Sequence, residues 1–429
     1  MNRLAGQRGV TVIELVVALV VGVISMIGLY ELMDASNRLT RQQTDVAEAQ
    51  DAVRVGLSAA GRVIRQARVG GLYFGNAILP AVNNAPGGTS LTDLDGARHF
   101  IRQGTDVIRV RGIIQGDLYA LSPVDVTCTP CDGTAAMTVT IPSVTASGIQ
   151  NFPNGGTPSI ARATAPFYFV VQDGTNQIVT ANGVNVLVPL YFVGRVDTTG
   201  SWYTQTSTTF TFTMDPSDTG ARKLDAPGTG SPVLTKPVTG GAVDDITFFV
   251  DEGPADATGT VTDTHPSLAE ALLDPTSGNY RVQTLVEEVE DFQVAYGVDG
   301  IDGSTPDGGL SPVRVDTSAS NKDEWVGNVD GEIEATLPIS GTTSPQVQAF
   351  VDTAGPVATG GQLATAALRS VWISLVVKAA HPDMVYDGPG ARGIRILDSA
   401  AVSFSSPSIT NRPYRRRALS LAVSLRNYP

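Results

Sequence analysis

The chain has 429 residues, 42 acidic against 29 basic side chains, and a formal charge of −13. An acidic surface with no dense basic patch argues against nucleic acid as a partner, and the length leaves room for one large or two ordinary domains. Gly 45 and Pro 26, with only 17% charged residues, predict a turn-rich body rather than a helical bundle.

The first element in chain order is the most informative. Arg8-Gly9-Val10-Thr11-Val12-Ile13-Glu14-Leu15 runs straight into an apolar helix that continues to Met33. Val10 to Met33 would span ~36 Å as a helix, enough for a bilayer core. A carboxylate inside such a span is costly, so Glu14 asks for a reason. Arg3 and Arg8 precede the span with no acid among them, which keeps the first residues cytoplasmic and exports the rest of the chain. An ordinary secretory signal has a shorter apolar region and a small-residue cleavage site, and Leu32-Met33-Asp34-Ala35 is a poor match.

This start resembles the class III signal of type IV pilins and their pseudopilin relatives. The resemblance implies a prepilin peptidase cut after Gly9 and methylation of the Val10 amine. It also implies that Glu14 pairs with the Val10 amine of a neighbouring subunit during assembly. Loss of Arg3 and Arg8 would then take the charge to −15.

Beyond the span the helix is expected to continue, with Leu32, Leu39, Val46, Val53, Ala60 and Ala67 in one stripe beside Leu57 and Ile64. Gly56 and Gly61 weaken it locally, and Gly70-Gly71 is the predicted stop. A heptad stripe also suits a coiled coil. Packing against a sheet suits its thin, alanine-rich end as well. The fold class expected is α+β: type IV pilin architecture, a long N-terminal helix with an apolar first half, packed on a large β-rich head with long loops.

Within the head, Asp106 to Ile114, Met137 to Ile141, Phe167 to Val171, Val184 to Val196, Thr206 to Met214 and Ile246 to Val250 read as strands. Asp215 to Gly241, Asp251 to Asn279, Asp299 to Asn321 and Ile339 to Gly361 read as surface loops. The expected organisation is a leader at 1–9, the helix at 10–71, a β-rich inserted region at 72–280 and a C-terminal β region at 281–429.

Three segments of that last region carry a second resemblance. They are LVEEVEDFQVAYGVD from Leu285, LRSVWISLVV from Leu368, and YRRRALSLAVSLRN from Tyr414. Together they are similar to the PilW family of type IV minor pilins. There a Val-Glu-x-Phe-Gln-x-x-Tyr-Gly-x-Asp segment precedes a hydrophobic strand, and the chain closes in an Arg-Arg strand ending Leu-Arg-Asn. Arg415 to Arg417 is read as a solvated strand edge or a subunit contact, and Glu287, Glu288, Glu290 and Asp291 as acidic neighbours with nothing pairing them for acid–base work.

Cys128-Thr129-Pro130-Cys131 predicts a small-loop disulfide in an exported chain; a thioredoxin-like site would need a helix start there. Asp299, Asp302 and Asp307 lie in a glycine-broken acidic loop that is a candidate calcium site, with a solvated hairpin loop as the alternative. No other cofactor is expected. His99, His265 and His381 are scattered, and no catalytic constellation is legible, so an enzyme is not expected. Trp202, Trp325 and Trp372 do not cluster in sequence, and no carbohydrate platform is visible.

The resemblances imply a minor pilin, held in the bacterial inner membrane by one span with its head in the periplasm, then built into the pilus. There it would prime assembly or sit at the tip, with a role in twitching motility or adhesion. Its partners would be the prepilin peptidase, the major and other minor pilins, the inner-membrane assembly platform and a large tip adhesin. The alternatives are a minor pseudopilin similar to GspJ in type II secretion, and a surface adhesin on a pilin anchor.

Overall fold

The computed structural model describes residues 11–67, 78–82, 85, 87–114, 119–129, 135–142, 167–181, 184–197, 200–206, 209–215, 237–254, 265–273, 279–298, 325–326, 368–379 and 414–425. The chain is α+β, a long helix followed by β-structure.

Helix α1 (Val12–Gln66) starts at Thr11, whose extended backbone and hydroxyl cap it, and the Ala67 amide closes it by donating to Val63 and Ile64. The predicted stop at Gly70-Gly71 lies outside the described residues. Its two halves differ as their composition dictates. Leu15, Leu19, Ile24, Leu29 and Met33 are each more than half exposed, whereas Ala49, Val53, Leu57, Ala60, Val63 and Ile64 are buried. Two members of the expected stripe are therefore corrected. Leu32 and Leu39 are 69% and 56% exposed, because the covered face begins only at Val46 and Ala49.

The strands follow in order: β1 (Ile78–Val82), β2 (Ser90–Thr92), β3 (Arg98–Ile101), β4 (Val107–Gly112), β5 (Tyr119–Ala120), β6 (Val126–Thr127) and β7 (Met137–Pro142). Next come β8 (Phe167–Ala181), β9 (Val184–Val196), β10 (Tyr203–Gln205), β11 (Thr209–Asp215), β12 (Pro237–Ala242) and β13 (Asp244–Pro254). The last are β14 (Ser267–Leu273), β15 (Tyr280–Glu287), β16 (Val289–Val298), β17 (Trp325–Val326), β18 (Leu368–Lys378) and β19 (Arg416–Ser424). Among the described residues they form three sheets. The first runs β1-β4-β13-β14-β15 with the β2–β3 hairpin beside β13; the second runs β5-β12-β8-β9-β11-β7-β6 with β10 on β11; the third runs β17-β16-β18-β19.

β14 falls inside the segment expected to be loop, and β12 overlaps another. Ser-Leu-Ala-Glu-Ala-Leu-Leu holds no β-branched residue, so its local preference is helical. It becomes a strand because it lies between β13 and β15 with Leu268, Ala269 and Ala271 fully covered, and burial between two strands overrides propensity.

The first and third sheets share one core with the second half of α1. Phe248, Val250 and Leu268 come from the first sheet, Phe292, Ile373 and Leu375 from the third, and Val53, Leu57 and Ile64 from the helix. Gly56 and Gly61 are explained by this contact. A Cβ on Gly56 would stand 3.1 Å from Leu375 and Val286 and 3.2 Å from Leu268; one on Gly61 would stand 2.9 Å from Leu421. Gly56→Leu gains about 1 kcal/mol of helix propensity. It forces four carbons among side chains from both sheets, and overpacking costs about 1–3 kcal/mol or more. The expected net result is a destabilised helix–head contact, read as faster tryptic cleavage at Arg54, Arg62 and Arg65.

The second sheet has its own core of Phe167, Phe169, Phe192, Phe210, Phe212 and Met214, with Trp202 and Tyr203 packed against it. It is inserted between β4 and β13, whose ends Gly112 and Asp244 are direct partners. Strands β14 and β15 pair across the expected boundary between residues 280 and 281 (Leu272 with Arg281).

Candidate functional site

Two regions carry the expected functional residues: the start of α1, and the end of the third sheet. Gly9 and Val10 lie outside the described residues. Glu14 is described and sits at the third helical position, where its carboxylate accepts from the Thr11 amide at 2.9 Å and the Thr11 hydroxyl at 3.0 Å. The Glu14 amide donates back to the Thr11 hydroxyl at 3.3 Å. This reciprocal cap arises from a Thr and a Glu three residues apart before an apolar run. It places the acid at the positive end of the helix dipole, on an exposed apolar rod long enough to cross a membrane.

The third sheet explains the PilW-like segments residue by residue. Val289, Phe292 and Tyr296 face the shared core. Gln293 points to the other side and donates to the Gly104 carbonyl at 2.9 Å and to Asp291 at 2.8 Å. Asp106 fastens β16 to the first sheet: its amide donates to the Phe292 carbonyl and its carboxylate accepts the Val294 amide at 2.7 Å. Glu288, the one described non-glycine residue at positive φ (62°), forms the corner between β15 and β16 that carries the chain from one sheet to the other.

Two of these acids, Glu288 and Glu290, meet cations. Glu290 takes both guanidinium arms of Arg416, through Nε and through Nη2 at 3.1 Å, with the two side chains 9% and 10% exposed. Lys378 Nζ lies 2.8 Å from Glu288 Oε2, an ion contact out of line for a hydrogen bond, and His265 contacts the other oxygen. Lys378 also lies over the Tyr414 ring. Arg416 is thus an internal strut, and the reading of all three arginines as a solvated edge is corrected. Register is the reason: Arg416 is opposite Lys378, at the end of β18 where β16 presents Glu288 and Glu290.

Of the expected cysteine pair, Cys128 is disulfide-bonded, while Cys131 lies outside the described residues. Asp299, Asp302 and Asp307 lie outside them too. Of the histidines, His99 and His265 are paired with acids, and His381 is outside the described residues. The tryptophans that are scattered in sequence have aromatic neighbours in space. Trp202 meets Tyr203 at 4.9 Å and Trp325 meets Trp372 edge-on at 5.6 Å. Glu270 on β14 was not singled out by sequence. Burial pushes its carboxyl up, and Arg62 of α1 pulls it back.

Taken together, the fold and site define an α+β protein with an exposed helix able to span a membrane and a β-rich body fastened to that helix's second half. Residues 247–427 match the family model of the type IV pilus-assembly protein W, so this part of the chain is similar to the PilW family. No curated protein and no solved structure matches. The matched residues begin in β13 and include β14 to β19, the strands that build most of the shared core under α1. That match indicates a protein related to type IV pilus assembly.

Proposed function

We propose that the chain is a minor pilin, made as a prepilin, cut between Gly9 and Val10, and drawn into the pilus by its helix. The observation that carries this is the exposed apolar stretch Val12 to Tyr30 with one acid capped at its start, on a chain whose C-terminal part matches the PilW family model. Before assembly the Thr11 amide and hydroxyl satisfy the Glu14 carboxylate. In the fibre the freed amine of Val10 on a neighbouring subunit takes over, which fixes the register of one helix on the next. The subunit waits in the inner membrane with its head in the periplasm, and Cys128 pairs with Cys131 there. Its large head favours a priming or tip position over a repeating shaft position.

Glu14→Ala tests the reading. Leader removal should proceed as in the wild type, while the amount recovered in sheared fibres should fall about tenfold or more, since an assembly contact of the charged pair is gone. Wild-type recovery of the variant in fibres would overturn the reading. Immunogold labelling along the shaft at the density of the major pilin would overturn the tip position alone.

A further inference from the structure

We propose that His99 is a pH-operated latch. Protonated, it ties the turn of the β2–β3 hairpin to the first sheet; deprotonated, it releases the turn and loosens the hairpin.

The geometry is a ring between two carboxylates. Nδ1 lies 2.6 Å from Asp251 Oδ2 on β13, and Nε2 lies 3.5 Å from Asp93 Oδ2 in the turn after β2. The His99 side chain is 13% exposed and that of Asp251 is 5% exposed, so water replaces neither contact easily. β2 brings no charged residue to the ring, β13 brings Asp251, the turn brings Asp93, and β15 reaches the turn through the bridge from Tyr280 to Asp93.

An imidazolium has two N–H donors and serves both acids; a neutral imidazole has one. Asp251 keeps it, because its second oxygen is fixed by the Gly253 amide at 2.9 Å and the contact is the shorter. Asp93 then faces a ring nitrogen lone pair. Asp93 is the anchor of the turn: its amide donates to the Ala97 carbonyl, its carbonyl accepts the Gly96 amide, and Gly96 takes the φ of 86° that closes the turn. The hairpin itself supplies Leu91, from β2, and Ile101, from β3, to the apolar cluster of Phe249, Ala269 and Ala271, beside Tyr280 and Val282 of β15.

The hydrogen bond to Asp251 raises His99 above the ordinary value of 6.5; burial opposes this, and the charges of Asp251 and Asp93 add to it. A raised histidine stabilises the fold fully below the unfolded value, and that contribution is lost as pH rises through the folded one. The latch is closed at mildly acidic pH and opens on the alkaline side. On the function proposed above, the head meets the pH outside the cytoplasm; that point rests on the proposal, while the latch itself does not.

Hydrogen exchange of the full chain in detergent, corrected for the intrinsic pH dependence of exchange, decides it. Between pH 6 and pH 8.5, protection over residues 87–101 should fall about tenfold, as expected for losing one charge-assisted hydrogen bond. Residues 368–378 should not change. Asp93→Asn should remove the pH dependence of hairpin protection, because its amide can accept from the protonated ring and donate to the neutral one. Hairpin protection that is the same at both pH values in the wild type, or that keeps its full pH dependence in Asp93→Asn, would overturn the latch.

Discussion

Glu290→Leu is expected to cost about 3–5 kcal/mol of stability, the range for removing one partner of a buried ion pair. The wild-type head sets two cations side by side, Arg416 and Lys378, each answered by its own acid, Glu290 and Glu288. Removing Glu290 leaves two neighbouring positive charges with one carboxylate between them, at a place where the guanidinium is almost closed off from water. Replacing both members, Glu290→Leu with Arg416→Leu, should recover most of the loss, because two apolar side chains leave no stranded charge. Urea denaturation of the single and double variants measures this. A single variant within about 1 kcal/mol of the wild type would mean that the pair behaves like an exposed one.

Excision gives the second large effect. Gly112 and Asp244 are Cα partners at the ends of adjacent antiparallel strands, so the residues between them occupy the place of a hairpin loop. Replacing Ile113–Val243 by Asn-Gly, the dipeptide suited to a two-residue hairpin turn, should leave β4 and β13 paired. The deletion removes the whole core of Phe167, Phe169, Phe210 and Phe212 with its sheet. It takes from the shared core only Ile113 and Val170, along with the partly buried Ile114, Tyr168 and Val243. It also removes the clasp in which the Ile114 amide donates to Asp244 at 2.8 Å. The shortened chain should still melt cooperatively and still enter fibres, with a lower midpoint. Loss of folding altogether would show that the second sheet is needed by the rest of the head.

The features that sequence revealed and those it hid divide along physical lines. α1 was legible because its signals are local: a long apolar run, then one apolar stripe on a polar helix. β9 was legible over Val184–Val196 because its run of β-formers is long. β14 was not, since Ala, Glu and Leu favour a helix and only its two neighbours make it a strand. Short pieces such as β5, β6 and β17 carry too few residues to show a period. At the candidate site, Glu14 was named from its motif, yet its bonding to Thr11 needed the backbone. The Glu290–Arg416 pair was invisible because its members are 126 residues apart and meet only through the register of β16, β18 and β19. Gly56 was read as a weakness of the helix; it is a place where side chains from two sheets crowd against it.

The central claim is that an apolar helix is freed of a short basic leader and then packs among others like it. Intact-mass and N-terminal peptide analysis of the protein recovered from sheared fibres tests it most directly. The account predicts a chain that begins at Val10 with a methylated amine. A fibre-borne chain that still begins at Met1 would contradict it.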